Sequence, residues 1–334
     1  MRIGLAGTGR IGAFHAGTLA ELPEVEQVVV TDAVPEAADR IAQQRGYAVA
    51  RDLDELLQRV DALVITTSTT GHASALRAAV AAGIPTFIEK PLAPTLAETI
   101  ELVELVEKAG VAVHVGFQRR FDRGYQRAKA AVDSGELGFL HSVRVNTHDQ
   151  APPPAAYIPT SGGLFRDCSV HDFDILRFVT GREVVRVFGT GANKGADFFT
   201  EGGDVDTAAA VLTLDDDTLV LASATRYNGG GHDVRMELLG SEGALGVGYD
   251  DSLALRSAEE GVDYPRGPQR WSFMERFLPA YQAELAAFCD VVAGRSDSRC
   301  TVADALEAFR ISEACERSRL TGRPVELADI DGVA

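Results

Sequence analysis

An apolar run at residues 2–6 (RIGLA) passes directly into Gly7-Thr8-Gly9-Arg10-Ile11-Gly12, and residues 14–22 continue at helical spacing. Three glycines at this spacing between a strand and a helix are the turn that opens a dinucleotide-binding unit. Gly7 allows the tight turn, Gly9 lets the backbone approach a pyrophosphate, and Gly12 lets the helix lie close to the sheet. The opening amides of that helix, at Arg10 and Ile11, present the positive end of its dipole to phosphates. A second run, QVVVT at 27–31, ends at Asp32, about 20 residues after the last glycine, where this fingerprint places an acid. A carboxylate there accepts from the adenosine ribose hydroxyls and repels a 2′-phosphate. Ala33, Val34 and Pro35 bring no arginine to welcome one, so NAD is expected and NADP less so.

The alternation of apolar runs and amphipathic stretches continues to residue 116. Strands are expected at 47–50, 62–66, 84–88 and 111–116, with helices at 37–45, 53–58, 72–82 and 96–109 between them. That order makes a parallel, doubly wound sheet whose ligands bind at the strand carboxyl ends. Thr67 and the triplet Glu89-Lys90-Pro91 stand at such ends. Beyond 116 the character changes. A helix over 118–132 and a strand over 141–148 are followed by a run of short strands at 184–190, 207–214, 218–226, 234–240, 244–247 and 252–257. Successive strands without helices between them indicate a mostly antiparallel sheet. Helices over 276–293 and 302–321 close the chain. One face of such a sheet is left for solvent or another subunit, and a homo-oligomer, dimer or tetramer, is expected to use it.

At 334 residues the chain has room for two domains, expected at 1–120 and 121–334. The net charge is −17, from 32 basic and 49 acidic residues, which argues against nucleic acid or an anionic membrane as partner. No apolar run approaches the roughly 20 residues of a membrane helix, and the N-terminus lacks the long apolar region of a signal peptide. Cys168, Cys289, Cys300 and Cys315 are scattered without metal-ligand or redox spacing. Reduced thiols in a cytoplasmic protein and no metal site are the expectation.

Chemistry concentrates in GGLFRDCSVHDFD at 162–174. Read as a helix, it sets Asp167 and His171 one turn apart on one face. A carboxylate can orient an imidazole and raise its basicity, as proton transfer near neutral pH requires. The same pair alone equally reads as a carboxylate easing a helix dipole beside a solvated histidine. Lys90, anchored by a buried strand, could stabilise a developing alkoxide or carbonyl oxygen, or could simply pair with Glu89. Asn146, His148, Asp149 and Tyr157 precede the block and could bind hydroxyls, or be loop structure. His72 reads as a loop-orienting residue.

Together GTGRIG at 7–12, Glu89-Lys90-Pro91, GFQRRFD at 116–122 and the 162–174 block resemble the Gfo/Idh/MocA oxidoreductases, most of all the inositol 2-dehydrogenase branch. The resemblance spans nearly the whole chain. It implies an N-terminal Rossmann domain, a C-terminal α/β domain with an open sheet, and often a tetramer packed through those sheets. It also implies Lys90, Asp167 and His171 as the catalytic group, NAD(H) held at Gly7, Gly9, Arg10, Ile11, Gly12, Asp32, Thr67, Glu89 and Lys90, and a polyol or sugar as substrate. Its implied reaction is NAD-dependent oxidation of myo-inositol to the 2-ketone, with another inositol, an aldose or a non-catalytic NAD(P)-binding regulator as alternatives. The branch ends one strand with a segment resembling YGYD. Here residues 226–233 read RYNGGGHD, so Tyr227 fits a substrate contact while the second aromatic is missing.

Overall fold

The computed structural model describes residues 1–330; the last four residues of the expected second domain lie outside them. The chain divides into two compact units. The first comprises Met1–Phe121 and Pro279–Leu306, the second Asp122–Leu278 and Glu307–Ala334. Residues 279–306, part of the expected second domain, group with the first unit.

In that unit, β1 (Arg2–Ala6), α1 (Arg10–Leu19), β2 (Gln27–Thr31), α2 (Pro35–Arg45), β3 (Ala48–Val49), α3 (Leu53–Leu57), β4 (Ala62–Ile65), α4 (Thr69–Ala81), β5 (Thr86–Glu89), α5 (Leu96–Ala109) and β6 (Val113–Gly116) alternate. The six strands are all parallel, in the order β3-β2-β1-β4-β5-β6. Strand order reverses between β1 and β4, so their carboxyl ends open the crevice where such sheets bind ligands. Helix starts are set by local chemistry. Asp52 accepts from the Glu55 amide at 2.8 Å, and Thr95 from the Glu98 amide at 3.3 Å. Apolar strand residues Ile3, Leu5, Val28, Val30, Val64 and Phe87 pack with Ala16 and Leu19 of α1, and with Leu285 and Phe288. Fully burying a side chain such as Phe288 contributes roughly 3 kcal/mol, which is why the distant segment belongs to this core.

The second unit holds α6 (Arg123–Asp133), β7 (Leu140–His148), α7 (Val170–Thr180), β8 (Val184–Ala192), α8 (Phe198–Glu201), β9 (Thr207–Leu214), β10 (Leu219–Thr225), β11 (Asp233–Gly240) and β12 (Ala244–Val247). Next come α9 (Phe273–Val292), α10 (Val302–Thr321) and β13 (Val325–Glu326), and the boundary between units falls within both helices. The seven-stranded sheet runs β12-β11-β7-β10-β9-β8-β13. Its pairings are antiparallel except β10 with β7. The helix expected over 118–132 is two elements, because Asp122 caps α6 from outside through the Gly124 amide at 2.9 Å, after a 3₁₀ turn at Gln118–Phe121. The strand expected at 252–257 is absent. Asp250 turns the chain there, its carboxylate accepting from the Ser252 amide at 2.9 Å and its carbonyl from the Leu253 amide at 3.0 Å. Among the described residues no helix is long and apolar enough to cross a membrane.

Candidate active site

The glycine turn sits at the β1/β4 reversal. Gly7 has φ +94° and its amide donates to the Thr31 carbonyl at 2.9 Å. A side chain on Gly12 would collide with the Gly7 carbonyl oxygen and the Thr66 hydroxyl, so only glycine lets α1 start this close to β1. On Gly9 a Cβ would meet nothing within 4 Å. That open space lies at the N-terminus of α1, where no side chain caps the first amides. Close packing at Gly12 with clear space at Gly9 is what a dinucleotide pyrophosphate requires of this loop. Asp32 also holds the loop: one carboxylate oxygen accepts from the Thr8 amide at 2.6 Å and the Thr8 hydroxyl at 2.9 Å, the other from the Val34 amide at 2.9 Å. Burial works to raise its pKa, but the Val34 and Thr8 donors outweigh it and hold the carboxyl below its ordinary value.

Thr67 and the 89–91 triplet follow β4 and β5. His72, on the first turns of α4, joins the two loops: Nδ1 is 2.7 Å from the Pro91 carbonyl and Nε2 is 3.1 Å from the Thr67 carbonyl. Burial lowers its pKa, and the two carbonyl contacts work against that shift. Glu89 faces His15 of α1, Oε1 to Nε2 at 2.6 Å, with the histidine fully buried. His15 had a sequence signal: it sits in the buried register of α1 with Gly12, Ala16 and Leu19. In the same unit His114, Glu284 and Cys300 bring one donor atom each within 4.8 Å, all buried. Their donor types could hold a metal ion. The imidazole stacks on Phe87 at 5.6 Å, and burial and then the Arg120 charge push its pKa down to about 3.

In the second unit Gly162 and Gly163, at φ +82° and +95°, turn the chain into the chemical block. Asp204 seats the turn, accepting from the Leu164 amide at 3.0 Å and the Val205 amide at 2.8 Å. Phe165–Ser169 then winds as a π-helical turn, and α7 begins at Val170. Asp167 and His171 thus belong to different helical forms, which corrects the expectation of one α-helical face. The wider turn holds an extra residue, a device that recurs at functional sites. Both Asp167 oxygens are engaged. Oδ1 accepts from the Tyr157 hydroxyl at 3.0 Å, and Oδ2 from Arg226 Nη2 at 2.6 Å. Arg226 Nη1 reaches Asp149 Oδ2 at 3.0 Å and the Cys168 sulfur at 2.9 Å. Burial would weaken the guanidinium's proton, but the Cys168 sulfur and the Asp167 and Asp149 carboxylates bind it more firmly. Burial raises the Tyr157 phenol, and Asp167 adds to it, so Tyr157 stays a donor.

The remaining expected substrate residues are distributed differently. Residues 143, 145 and 147 of β7 point into the unit, and the Thr147 hydroxyl lies 2.8 Å from both oxygens of Asp172 on α7. Asn146 and His148, in the opposite phase, face the open side of the sheet. Asn146 donates to the Asp233 carbonyl at 3.2 Å, and His148 Nε2 lies 2.9 Å from the Ser223 hydroxyl. Tyr227 accepts from the Ala196 amide at 3.1 Å, with its ring against Gly195. Tyr157, Asp149, Asp167 and Arg226 are brought together; Asn146, His148 and Tyr227 have these other partners.

Comparison with known proteins agrees with this architecture. Residues 1–117 match the oxidoreductase family with an NAD-binding Rossmann fold, and residues 125–246 match the GFO/IDH/MocA C-terminal domain. A myo-inositol dehydrogenase of Streptomyces leeuwenhoekii is 40% identical, over 96% of this chain and 98% of its own length. A crystal structure of a myo-inositol dehydrogenase from Corynebacterium glutamicum superposes with TM-score 0.90 at 33% identity, covering 98% of each chain. The scyllo-inositol dehydrogenase of Lactobacillus casei, solved with NAD(H) and scyllo-inositol, superposes with TM-score 0.89 at 29% identity over 98% of this chain and 99% of that one. A glycine turn open at Gly9, an acid at Asp32 and a π turn that carries Asp167 therefore occur in a chain that belongs to the Gfo/Idh/MocA family of NAD-dependent oxidoreductases.

Proposed function

We propose that this protein oxidises one secondary alcohol of a cyclic polyol to the ketone with NAD+, with myo-inositol as the first substrate to test. The observation that carries the reading is Asp167, held by Arg226 and Tyr157 four residues before His171, in a chain whose inositol dehydrogenase relatives align over nearly its full length. NAD+, when bound, supplies the hydride acceptor. His171 takes the hydroxyl proton as the alcohol C–H is given up, and returns it to solvent afterwards. Asp167 keeps a negative charge beside that step and so favours the imidazolium that forms. Lys90 donates to the reacting oxygen and stabilises it as it becomes a carbonyl. General-base catalysis of this kind supplies roughly 10²–10⁴-fold. Tyr157 and Tyr227 are the aromatic hydroxyls assigned to the polyol.

The open face of the sheet suits a second copy of the chain. Arg144, Leu221, Val211 and Phe188 stand in register across β7, β10, β9 and β8, and the last three are 41–47% exposed. Asn146, His148 and Ser223 continue that surface. An exposed apolar row of this kind marks an interaction site, so we assign it to a homo-oligomer. The four cysteines are buried and none is in a disulfide, which suits the reducing cytoplasm.

NADH formation with a panel of inositols and aldoses, with NAD+ or NADP+, tests the activity. Turnover of myo-inositol is expected with NAD+, and loss of at least 10²-fold in Lys90→Ala and His171→Ala, with NADH binding kept in His171→Ala. Turnover of aldoses alone would move the substrate class, and silence with NADH tightly bound would favour a regulator. Leu221→Asp, read by light scattering, should lower the oligomeric mass.

A further inference from the structure

We infer that Arg226 is a positioning residue: one buried guanidinium that clamps Asp149 and Asp167 together and keeps Asp167 aimed. The inference rests on the proposed acid–base role of Asp167 and His171.

Arg226 is only 3% exposed, and its two terminal nitrogens divide between two carboxylates 18 residues apart in sequence. Two carboxylates this close to one group cannot both stay ionised in a buried setting without a cation between them. Arginine is suited to that place, because its planar fork donates in two fixed directions where lysine offers a single ammonium. The other titratable groups facing the cluster are consistent with it. His232 Nδ1 lies 3.4 Å from the free oxygen of Asp149, Tyr157 holds the other oxygen of Asp167, and the Cys168 sulfur is 3.6 Å from Asp149. Burial acts to raise Asp149, but His232 and Arg226 hold its pKa below the ordinary value. Asp204 also feels the Arg226 charge. Remove the guanidinium, and Asp149 and Asp167 lose their common cation, which favours uptake of a proton by one of them.

The experiment is a double-mutant cycle of R226Q and D149N, with R226K as the conservative variant. Turnover of a polyol with NAD+ and thermal melting are both followed from acid to alkaline pH. R226Q is expected to lose roughly ten- to a hundredfold in kcat, the scale at which supporting hydrogen bonds to active groups matter, with the KM for NAD+ near wild type. The R226Q/D149N double variant is expected to regain part of that loss, because Asp167 no longer shares its site with an unpaired carboxylate. A purely structural arginine would couple to Asp149 in melting and leave the pH profile of kcat unmoved. R226K should fall between wild type and R226Q. Melting reports the clamp itself, without catalysis. In R226Q the shared carboxyl pair has a raised folded pKa, so its melting temperature should fall relative to wild type as pH rises through that value. D149N should abolish this fall. Refolding of the double variant where R226Q alone fails to fold would also support the clamp. Additive cycles in both kcat and melting, or R226K and R226Q turning over within twofold of wild type, would overturn it. Silence of the wild type on every polyol, with the melting cycle still coupled, would overturn the function reading and leave the clamp standing.

Discussion

Replacing Asp32 by alanine tests the cofactor end at the point where the structure is most explicit. The side chain accepts three hydrogen bonds, two from Thr8 and one from the Val34 amide. Hydrogen bonds to a charged group contribute roughly 1.5–3 kcal/mol each when buried. Asp32 is partly open to water, which replaces much of that, so we expect loss of about 1–2 kcal/mol of loop order together with the ribose contacts. NADH affinity should therefore fall about 10–100-fold, or about 1.4–2.8 kcal/mol. Discrimination against NADPH should relax, because the charge that repels a 2′-phosphate is gone. Fluorescence titration of the protein with NADH and NADPH measures both. Asp32→Asn, which keeps an acceptor for Thr8 without the charge, separates loop order from charge: it should bind NADH better than the alanine variant. The pH sign follows from the lowered folded pKa of Asp32. Its stabilisation is present above the unfolded carboxylate value of about 3.9 and is lost as pH falls through the lower folded value. The alanine variant should thus be less stable than wild type at neutral pH and converge on it in acid. NADH binding within twofold of wild type, with NADPH still rejected, would refute the reasoning.

Gly12→Ala drives a methyl group into the Gly7 carbonyl and should cost about 3 kcal/mol or more, seen as a lower urea midpoint and lost NADH binding. Thr147→Val removes the Thr147 hydroxyl from the buried Asp172 carboxylate; a loss of about 1–3 kcal/mol in urea unfolding is expected. His114 stays neutral in the fold to about pH 3, whereas the unfolded imidazole titrates near about 6.5. Its folded pKa is depressed, so stability should decline as pH falls from about 6.5 toward 3. His114→Phe should flatten that decline, measured by melting across the range.

The β/α alternation of the first 116 residues was legible because apolar period and glycine spacing are local. The return of residues 279–306 to that unit was not, since amphipathic spacing announces a helix without saying which core Leu285 and Phe288 will fill. A π turn at Phe165–Ser169 differs from an α turn by one residue's worth of winding, and nothing in FRDCS marks it. Lys90, Asp167 and His171 stood out as chemistry-bearing residues at strand ends and in a helical block. Arg226 went unnoticed, although a signal was there. Val220, Ala222 and Ala224 are the buried residues of β10, and Arg226 continues their phase, so a full charge was due to enter the interior just past the strand. A charged residue in the buried phase of a strand requires a partner, and here it finds two.

The same period of two explains how one sheet can serve two purposes without conflict. On β7, Val143, Val145 and Thr147 face inward, and Thr147 ties the strand to α7 through Asp172. Arg144, Asn146 and His148 face outward, and Arg144 leads the row that continues through Leu221, Val211 and Phe188. Because neighbouring residues point to opposite faces, the surface assigned to assembly and the side that packs on α7 are separated by a single step along the backbone. Substitutions in one phase can change the outer face while leaving the other phase, and its tie to α7, in place. A register slip of one residue would exchange the two sets entirely, and the apolar inward phase of Val143, Val145, Val220, Ala222 and Leu212 is what forbids it.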